Sequence, residues 1–71
     1  MDRALIGDHL AKAERHVDEG HRHVAHQREI VASLERDGND TTQARALLAQ
    51  FEELQAMFIA DRDRLLRELY P

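Results

Sequence analysis

Histidine is the residue type in this chain best suited to chemistry near neutral pH, and all five histidines lie between residues 9 and 26. His9, His16 and His23 are seven residues apart, so a helix would carry them along one side. We refer to these three residues as the histidine row. Imidazole nitrogens bind transition metals, and an ordinary imidazole gains a proton at about pH 6.5. The histidine row could therefore bind metal or respond to mild acid.

Consecutive members of the histidine row are too far apart to share one metal ion, since seven helical residues rise about 10.5 Å. Closer neighbours are available: His26 follows His23 by three residues, and Glu19 precedes His23 by four. We hypothesise that zinc or nickel binds through His23 and His26, supported by Glu19 or His16, with further ligands from another helix. The chain contains no zinc motif of the HExxH type.

The histidine row could also serve in two ways that need no metal. Histidines beside an apolar seam can be structural, because the ring covers apolar neighbours while its polar edge points outward. Alternatively, stacked histidines repel one another when protonated, which would make an assembly sensitive to pH. The three hypotheses for this histidine-rich helix are therefore packing, metal binding and pH sensing.

The histidine row flanks a seam of small and aliphatic residues whose spacing alternates between four and three. The seam consists of Ile6, Leu10, Ala13, Val17, Gly20, Val24, Gln27, Val31 and Leu34. This pattern is typical of a coiled-coil helix that packs along its length against other helices. It predicts a first helix over about residues 2–36. The small side chains at Ala13 and Gly20 predict a close approach of a second helix, or else a bend at Gly20.

A short turn at residues 37–40 separates this helix from a second one, predicted over about residues 41–69. Gly38 can close the first helix in a left-handed conformation, and Asp40 or Thr41 can cap the second. The second helix carries an apolar stripe that is interrupted after Phe58. The stripe consists of Leu47, Phe51, Leu54, Phe58, Leu65 and Leu69. Because a turn this short makes the helices antiparallel, we expect an all-α hairpin occupying residues 1–71 as one domain.

The expected core combines the seam and the stripe. Its principal members are Leu10, Val17, Val24, Val31, Leu34, Leu47, Phe51, Leu54, Phe58 and Leu65. Adjacent apolar pairs widen this surface beyond what one partner helix can cover. The residues left over are Leu5, Ile30, Leu48, Ile59 and Leu66. We expect them to form the interface of a homodimer, a four-helix bundle in which Gln27 pairs across the dimer axis.

Length and composition narrow the function. A chain of 71 residues without cysteine has no disulfide, so oligomerisation or very regular packing must compensate for a small core. No cysteine nucleophile or glycine-rich phosphate loop is present, which argues against an enzyme. No apolar run suits a signal peptide or a membrane span, so we expect a cytoplasmic protein. We expect no cofactor other than the hypothesised zinc or nickel.

The formal net charge of −4 argues against general affinity for nucleic acid. An RNA-binding dimer nevertheless stays an alternative, with Arg15 and Arg22 on the outer side of the first helix. In size and topology the expected hairpin resembles the small dimeric proteins that regulate plasmid copy number by binding paired RNA loops. Acidic residues alternate with the arginines, a pattern more typical of a solvent-exposed helix surface.

The segment RHVDEGHRHVAHQREIV, residues 15–31, continues through LERDGNDTT at 34–42 and FEELQ at 51–55. These segments resemble a group of short, mostly uncharacterised helical-hairpin proteins from rhizobial-type alphaproteobacteria. The resemblance implies a bacterial cytoplasmic protein and contributes no catalytic or binding residues. Our prediction is a non-enzymatic interaction or regulatory module that acts as a homodimer and could also bind another protein through its helices.

Overall fold

The computed structural model describes residues 2–71, which form two α-helices packed side by side in a hairpin. The first helix, α1, spans Arg3–Arg36, and the second, α2, spans Thr42–Leu69. The molecule is 54 Å long and 14 Å across. The described residues contain no strand, so the all-helical hairpin is confirmed. Met1, the first residue of the expected domain, lies outside the described residues.

The turn between the helices contains a glycine in a left-handed conformation, directly after Asp37. Gly38 has a φ angle of +73°, which a glycine adopts without steric cost. Its N–H donates to the carbonyl of Glu35 at 3.1 Å, and the N–H of Asn39 donates to that of Leu34 at 2.9 Å. These two bonds form a Schellman motif, which satisfies carbonyls at the end of α1 and reverses the chain.

Aspartates begin both helices. The Asp2 carboxylate accepts a hydrogen bond from the N–H of Ala4 at 2.9 Å, so α1 starts one residue later than expected. The Asp40 carboxylate accepts from the N–H and the hydroxyl of Thr42, at 2.9 and 2.7 Å. These bonds favour the ionised carboxylate and lower the pKa of Asp40 below its ordinary value. Of the two expected capping residues, Asp40 rather than Thr41 provides the side-chain bond.

The seam of α1 is confirmed along its length. Its first eight members are buried, and Leu34 is half-buried. Near the open end of the hairpin, Leu65 joins Ile6, Leu10 and Ala13 in a buried cluster. The core is therefore a single layer between two helices, and α1 contributes most of it.

The expected stripe of α2 is confirmed at four of its six members and is wrong at Leu47 and Leu54. Leu47 and Leu54 are 40% and 45% exposed, whereas Leu48 is half-buried and Gln55 is only 7% exposed. One row of buried and half-buried residues instead follows an unbroken three–four spacing. Its members are Thr41, Ala44, Leu48, Phe51, Gln55, Phe58, Arg62, Leu65 and Leu69, and Ile59, Asp63 and Leu66 are half-buried beside it. A stripe built from apolar residues alone includes Leu54 in place of its neighbour Gln55. That choice produces the interruption expected after Phe58, which the structure does not have.

Two buried glutamines join the helices. Gln55 of α2 donates its side-chain amide to the carbonyl of Val17 at 2.9 Å. Gln27 donates its side-chain amide in the other direction, from α1 to the carbonyl of Ala44 in α2, at 3.0 Å. The expected pairing of Gln27 across a dimer axis is therefore wrong, because its amide is bound within the hairpin. Both bonds cross between antiparallel helices and fix their axial register.

The Asp40 cap should make the stability of the hairpin pH-dependent in a defined direction. Because the folded pKa is lowered, the stabilisation is complete above the unfolded value of about 3.9 and is lost as pH falls through the folded value. Asp40→Asn keeps a neutral capping group. We expect wild type to melt above Asp40→Asn at about pH 6, and the difference to shrink toward about pH 2.5. Thermal melts followed by circular dichroism measure this difference, and a constant difference would contradict the assignment.

Candidate interaction face

Two members of the histidine row, His16 and His23, lie against the phenylalanines of α2. The ring centroid of His16 is 5.1 Å from that of Phe58, and the centroid of His23 is 5.8 Å from that of Phe51. Both ring pairs are tilted, at 34° and 36°, and the histidines are exposed while the phenylalanines are half-buried. Each imidazole therefore covers part of a phenylalanine ring, as a packing role for the histidine row requires.

An apolar groove of about 190 Å³ opens beside His23, on the same side of the hairpin. Its lining residues are Gly20, His23, Phe51, Leu54, Gln55 and Phe58. No charged side chain belongs to this lining set. The groove shows that the exposed Leu54 and the histidine row share one surface.

Gly20 and Gln55 form the floor of the groove. A Cβ atom built on Gly20 would lie 2.6 Å from Cδ of Gln55 and would overlap its Oε1. The missing side chain thus makes room for the carboxamide, which confirms the close approach expected at Gly20. Gln55 Oε1 is buried without a hydrogen-bond partner among residues 2–71. The carboxamide is therefore held by its bond to Val17 and by the shape of the site at Gly20.

The side of the hairpin with the histidine row also carries most of the exposed large apolar residues. Ile30 follows His23 by seven residues and extends the row, and Met57 follows Leu54 by three. We define the histidine–phenylalanine face by its nine members. They are His9, His16, His23, Ile30, Leu47, Phe51, Leu54, Met57 and Phe58. Its half nearer the turn is apolar, with Ile30 37% and Leu47 40% exposed, while Met57 lies just beyond mid-length, near the level of His16.

The other half of the histidine–phenylalanine face, nearer the open end of the hairpin, has charged neighbours. His9 and His16 share a second groove with Lys12, Asp61 and Arg64. The guanidinium of Arg64 bonds Asp61 at 2.7 Å and Glu68 at 2.9 Å, which raises the pKa of Arg64 further above its ordinary value. The histidine–phenylalanine face is therefore divided into an apolar half and a charged half.

The five residues expected at a dimer interface are not on one surface. Leu5 and Ile30 are exposed, whereas Leu48 is half-buried in the row of α2 that follows the three–four spacing. Leu66 packs against the core cluster of its own chain. Ile59 lines a groove on the opposite side, with His21 and Glu52 among its neighbours. Leu47 and Leu54, which we expected in the core, are exposed instead, as is Met57.

The residues proposed to bind metal are all exposed, and they belong to two sides of α1. His16 and His23 lie on the histidine–phenylalanine face, while His26 and Glu19 lie outside it. Within residues 2–71, no group of three or more histidine, aspartate or glutamate side chains is arranged to hold a metal ion. Zinc or nickel binding through these residues stays a prediction. It requires that the affinity measured by zinc titration calorimetry falls at least tenfold in His23→Ala.

The arginines of α2 are largely engaged by acids of the same chain. Arg62 bonds Asp63 at 3.0 Å, and Arg45 pairs with Glu35 across the turn. Arg15 and Arg22 on α1 are exposed. The RNA-binding alternative stays a prediction that rests on those two residues.

Comparison with protein-family models, with curated proteins and with solved structures found no match. The resemblance to rhizobial hairpin proteins accordingly stays a prediction. Neither α1 nor α2 is long and apolar enough to cross a membrane, as judged over residues 2–71.

The floor of the groove predicts opposite effects for two helical glycines. Gly7 has no heavy atom within 4 Å of the place that a Cβ would occupy, so Gly7→Ala should stabilise the hairpin by about 0.5–1 kcal/mol. Gly20→Ala gains the same helix propensity but displaces the Gln55 amide and leaves its polar atoms poorly bonded. We expect a net loss of about 1 kcal/mol. Chemical denaturation measures both changes.

A double-mutant cycle checks the cause. With Gln55→Ala already present, Gly20→Ala should become stabilising by about 0.5–1 kcal/mol, because nothing then occupies the Cβ position. If Gly20→Ala is as destabilising with Gln55→Ala as without it, the carboxamide is not what requires glycine.

Proposed function

We propose that this protein is a non-enzymatic interaction module that forms a homodimer, a four-helix bundle, through its histidine–phenylalanine face. One observation carries the proposal: Leu47, Leu54 and Met57 are exposed on the side where Phe51 and Phe58 are only half-buried. Contiguous exposed apolar surface of this kind marks interaction sites in small proteins.

The thinness of the core supports self-association. No side chain in residues 2–71 is less than 2% exposed. Among residues 2–71, seven hydrophobic side chains are buried, and the two buried polar side chains are the glutamines Gln27 and Gln55. A chain of this size buries a small fraction of its surface when alone. A second copy would add a second layer to the core without requiring a longer chain.

The available area is sufficient for a stable pair. A surface 54 Å long and 14 Å wide has a projected area of about 750 Å², close to the 800 Å² per partner of standard interfaces. Burying the remaining exposure of Ile30, Leu47, Leu54 and Met57 should contribute about 1 kcal/mol per side chain. Both protomers contribute, so the total gain of about 8 kcal/mol exceeds the lower estimates of the free-energy cost of association, which are about 4 kcal/mol.

The dimer should depend on the exposed leucine of the groove. Leu54→Glu would place a charge in the apolar half of the histidine–phenylalanine face, so we expect the dimer dissociation constant to rise at least 100-fold. Ala60→Glu is the matched control, because Ala60 is exposed on the same helix but outside the face. Sedimentation equilibrium gives the mass relative to the 8.2 kDa chain, and circular dichroism reports helicity.

The proposal requires wild type and Ala60→Glu to show twice the chain mass while Leu54→Glu shows the monomer mass. A monomeric wild type at about 0.5 mM would exclude a dimer of useful affinity. A Leu54→Glu dimer as tight as wild type would place the interface elsewhere.

A further inference from the structure

We infer that a second copy of this chain docks on the histidine–phenylalanine face in parallel, so that the two turns lie at the same end of the bundle. This inference rests on the proposed dimer and specifies its geometry. It follows from the unequal halves of the face, because the relative direction of the two hairpins determines which half meets which.

The two halves differ in what they can bury. The apolar groove lies at mid-length, and from it toward the turn the exposed large side chains of the face are Ile30 and Leu47. The groove nearer the open end is lined by charged residues of both signs, among them Lys12, Asp61 and Arg64. Apolar surface is stabilised by contact with apolar surface, whereas a charge buried against apolar groups has a large desolvation penalty.

A fully overlapping antiparallel pair would bring these unlike halves together. The level of Leu47 in one protomer would meet the level of Asp61 in the partner, and the level of Ile30 would meet that of Arg64. Leu54 lies near mid-length and would meet its own level in either direction. Each charged group would lose water without gaining an opposite charge, and Leu47 and Ile30 would lie beside polar groups. Several kcal/mol of desolvation per buried ion would oppose this arrangement.

A staggered antiparallel pair would avoid that conflict by overlapping the apolar halves alone. The overlap would then be half the length of the molecule, with a projected area of about 400 Å² per partner. That area is about half of what a standard interface buries. The staggered arrangement therefore buries too little surface to stabilise the dimer.

The parallel pair keeps the full length and matches both halves. A twofold axis along the hairpin places α1 of one protomer against α2 of the other, with equal levels opposite each other. In the apolar half, His23 and Ile30 then lie against the partner's Leu54 and Leu47. In the charged half, Lys12 lies near the partner's Asp61. The like halves meet, and opposite charges face one another across the interface.

Spin labels can report whether the two hairpins are parallel or antiparallel. The chain contains no cysteine, so a single introduced cysteine is the only residue that a thiol-reactive label attaches to. Asp8→Cys places a label near the open end, and Asn39→Cys places one in the turn; both residues are exposed and lie outside the face. Each variant is labelled separately and checked for the dimer mass. Pulsed dipolar spectroscopy then measures the distance between the two labels of each dimer, and Leu54→Glu added to either variant controls for contacts elsewhere.

The parallel dimer requires distances of about 20–35 Å at both positions, which corresponds to two hairpin thicknesses plus the labels. A fully antiparallel dimer gives a separation near the 54 Å molecular length at Asn39→Cys and about 40 Å at Asp8→Cys, which lies about 9 Å from the open end. A staggered dimer gives about 30 Å at Asn39→Cys and about 60–65 Å at Asp8→Cys. Either antiparallel result overturns the inference and leaves the dimer intact. A monomer mass for the unlabelled wild type overturns the proposed dimer itself.

Discussion

The bond from the Gln55 side chain to the carbonyl of Val17 determines the arrangement of the rest of the molecule. A helix carbonyl can accept a second hydrogen bond, but a glutamine can reach it from another helix only when the backbones approach closely. Gly20 permits that approach, because the carboxamide of Gln55 occupies the place of the missing side chain. Burial makes the bond specific, since a slip of the helices would leave the amide unsatisfied within the core.

The position of Gln55 in turn determines which leucines reach the surface. Neighbouring residues on a helix point about 100° apart, so turning Gln55 inward turns Leu54 toward the flank. The same relation one heptad earlier places Leu48 inward and Leu47 on the flank. Phe51 lies between the two positions and stays half-buried beneath the ring of His23. The apolar half of the histidine–phenylalanine face is therefore a consequence of placing an amide in the seam.

Much of the fold could be predicted from the sequence because its signals are local. The spacing from Ile6 to Val31 and the glycine at residue 38 predicted the α1 seam and the end of that helix. The register of α2 could not be predicted by counting apolar residues, since Leu54 and Gln55 compete for one position. The buried residue is the polar Gln55, which is held there by its hydrogen bond to Val17, 38 positions away in the sequence. For the same reason, the sequence analysis wrongly placed Leu47 and Leu54 in the core.

The unequal sides of the hairpin bear on how many copies can assemble. Ile59 and His21 line the opposite groove together with Arg28 and Glu52, so that side is more polar. A protomer with one self-complementary apolar face forms a closed twofold pair, because each face is consumed by the other. Two such faces on opposite sides would instead continue adding copies in an open chain. The charged residues around Ile59 therefore favour assembly that stops at two hairpins, which is what the proposed four-helix bundle requires.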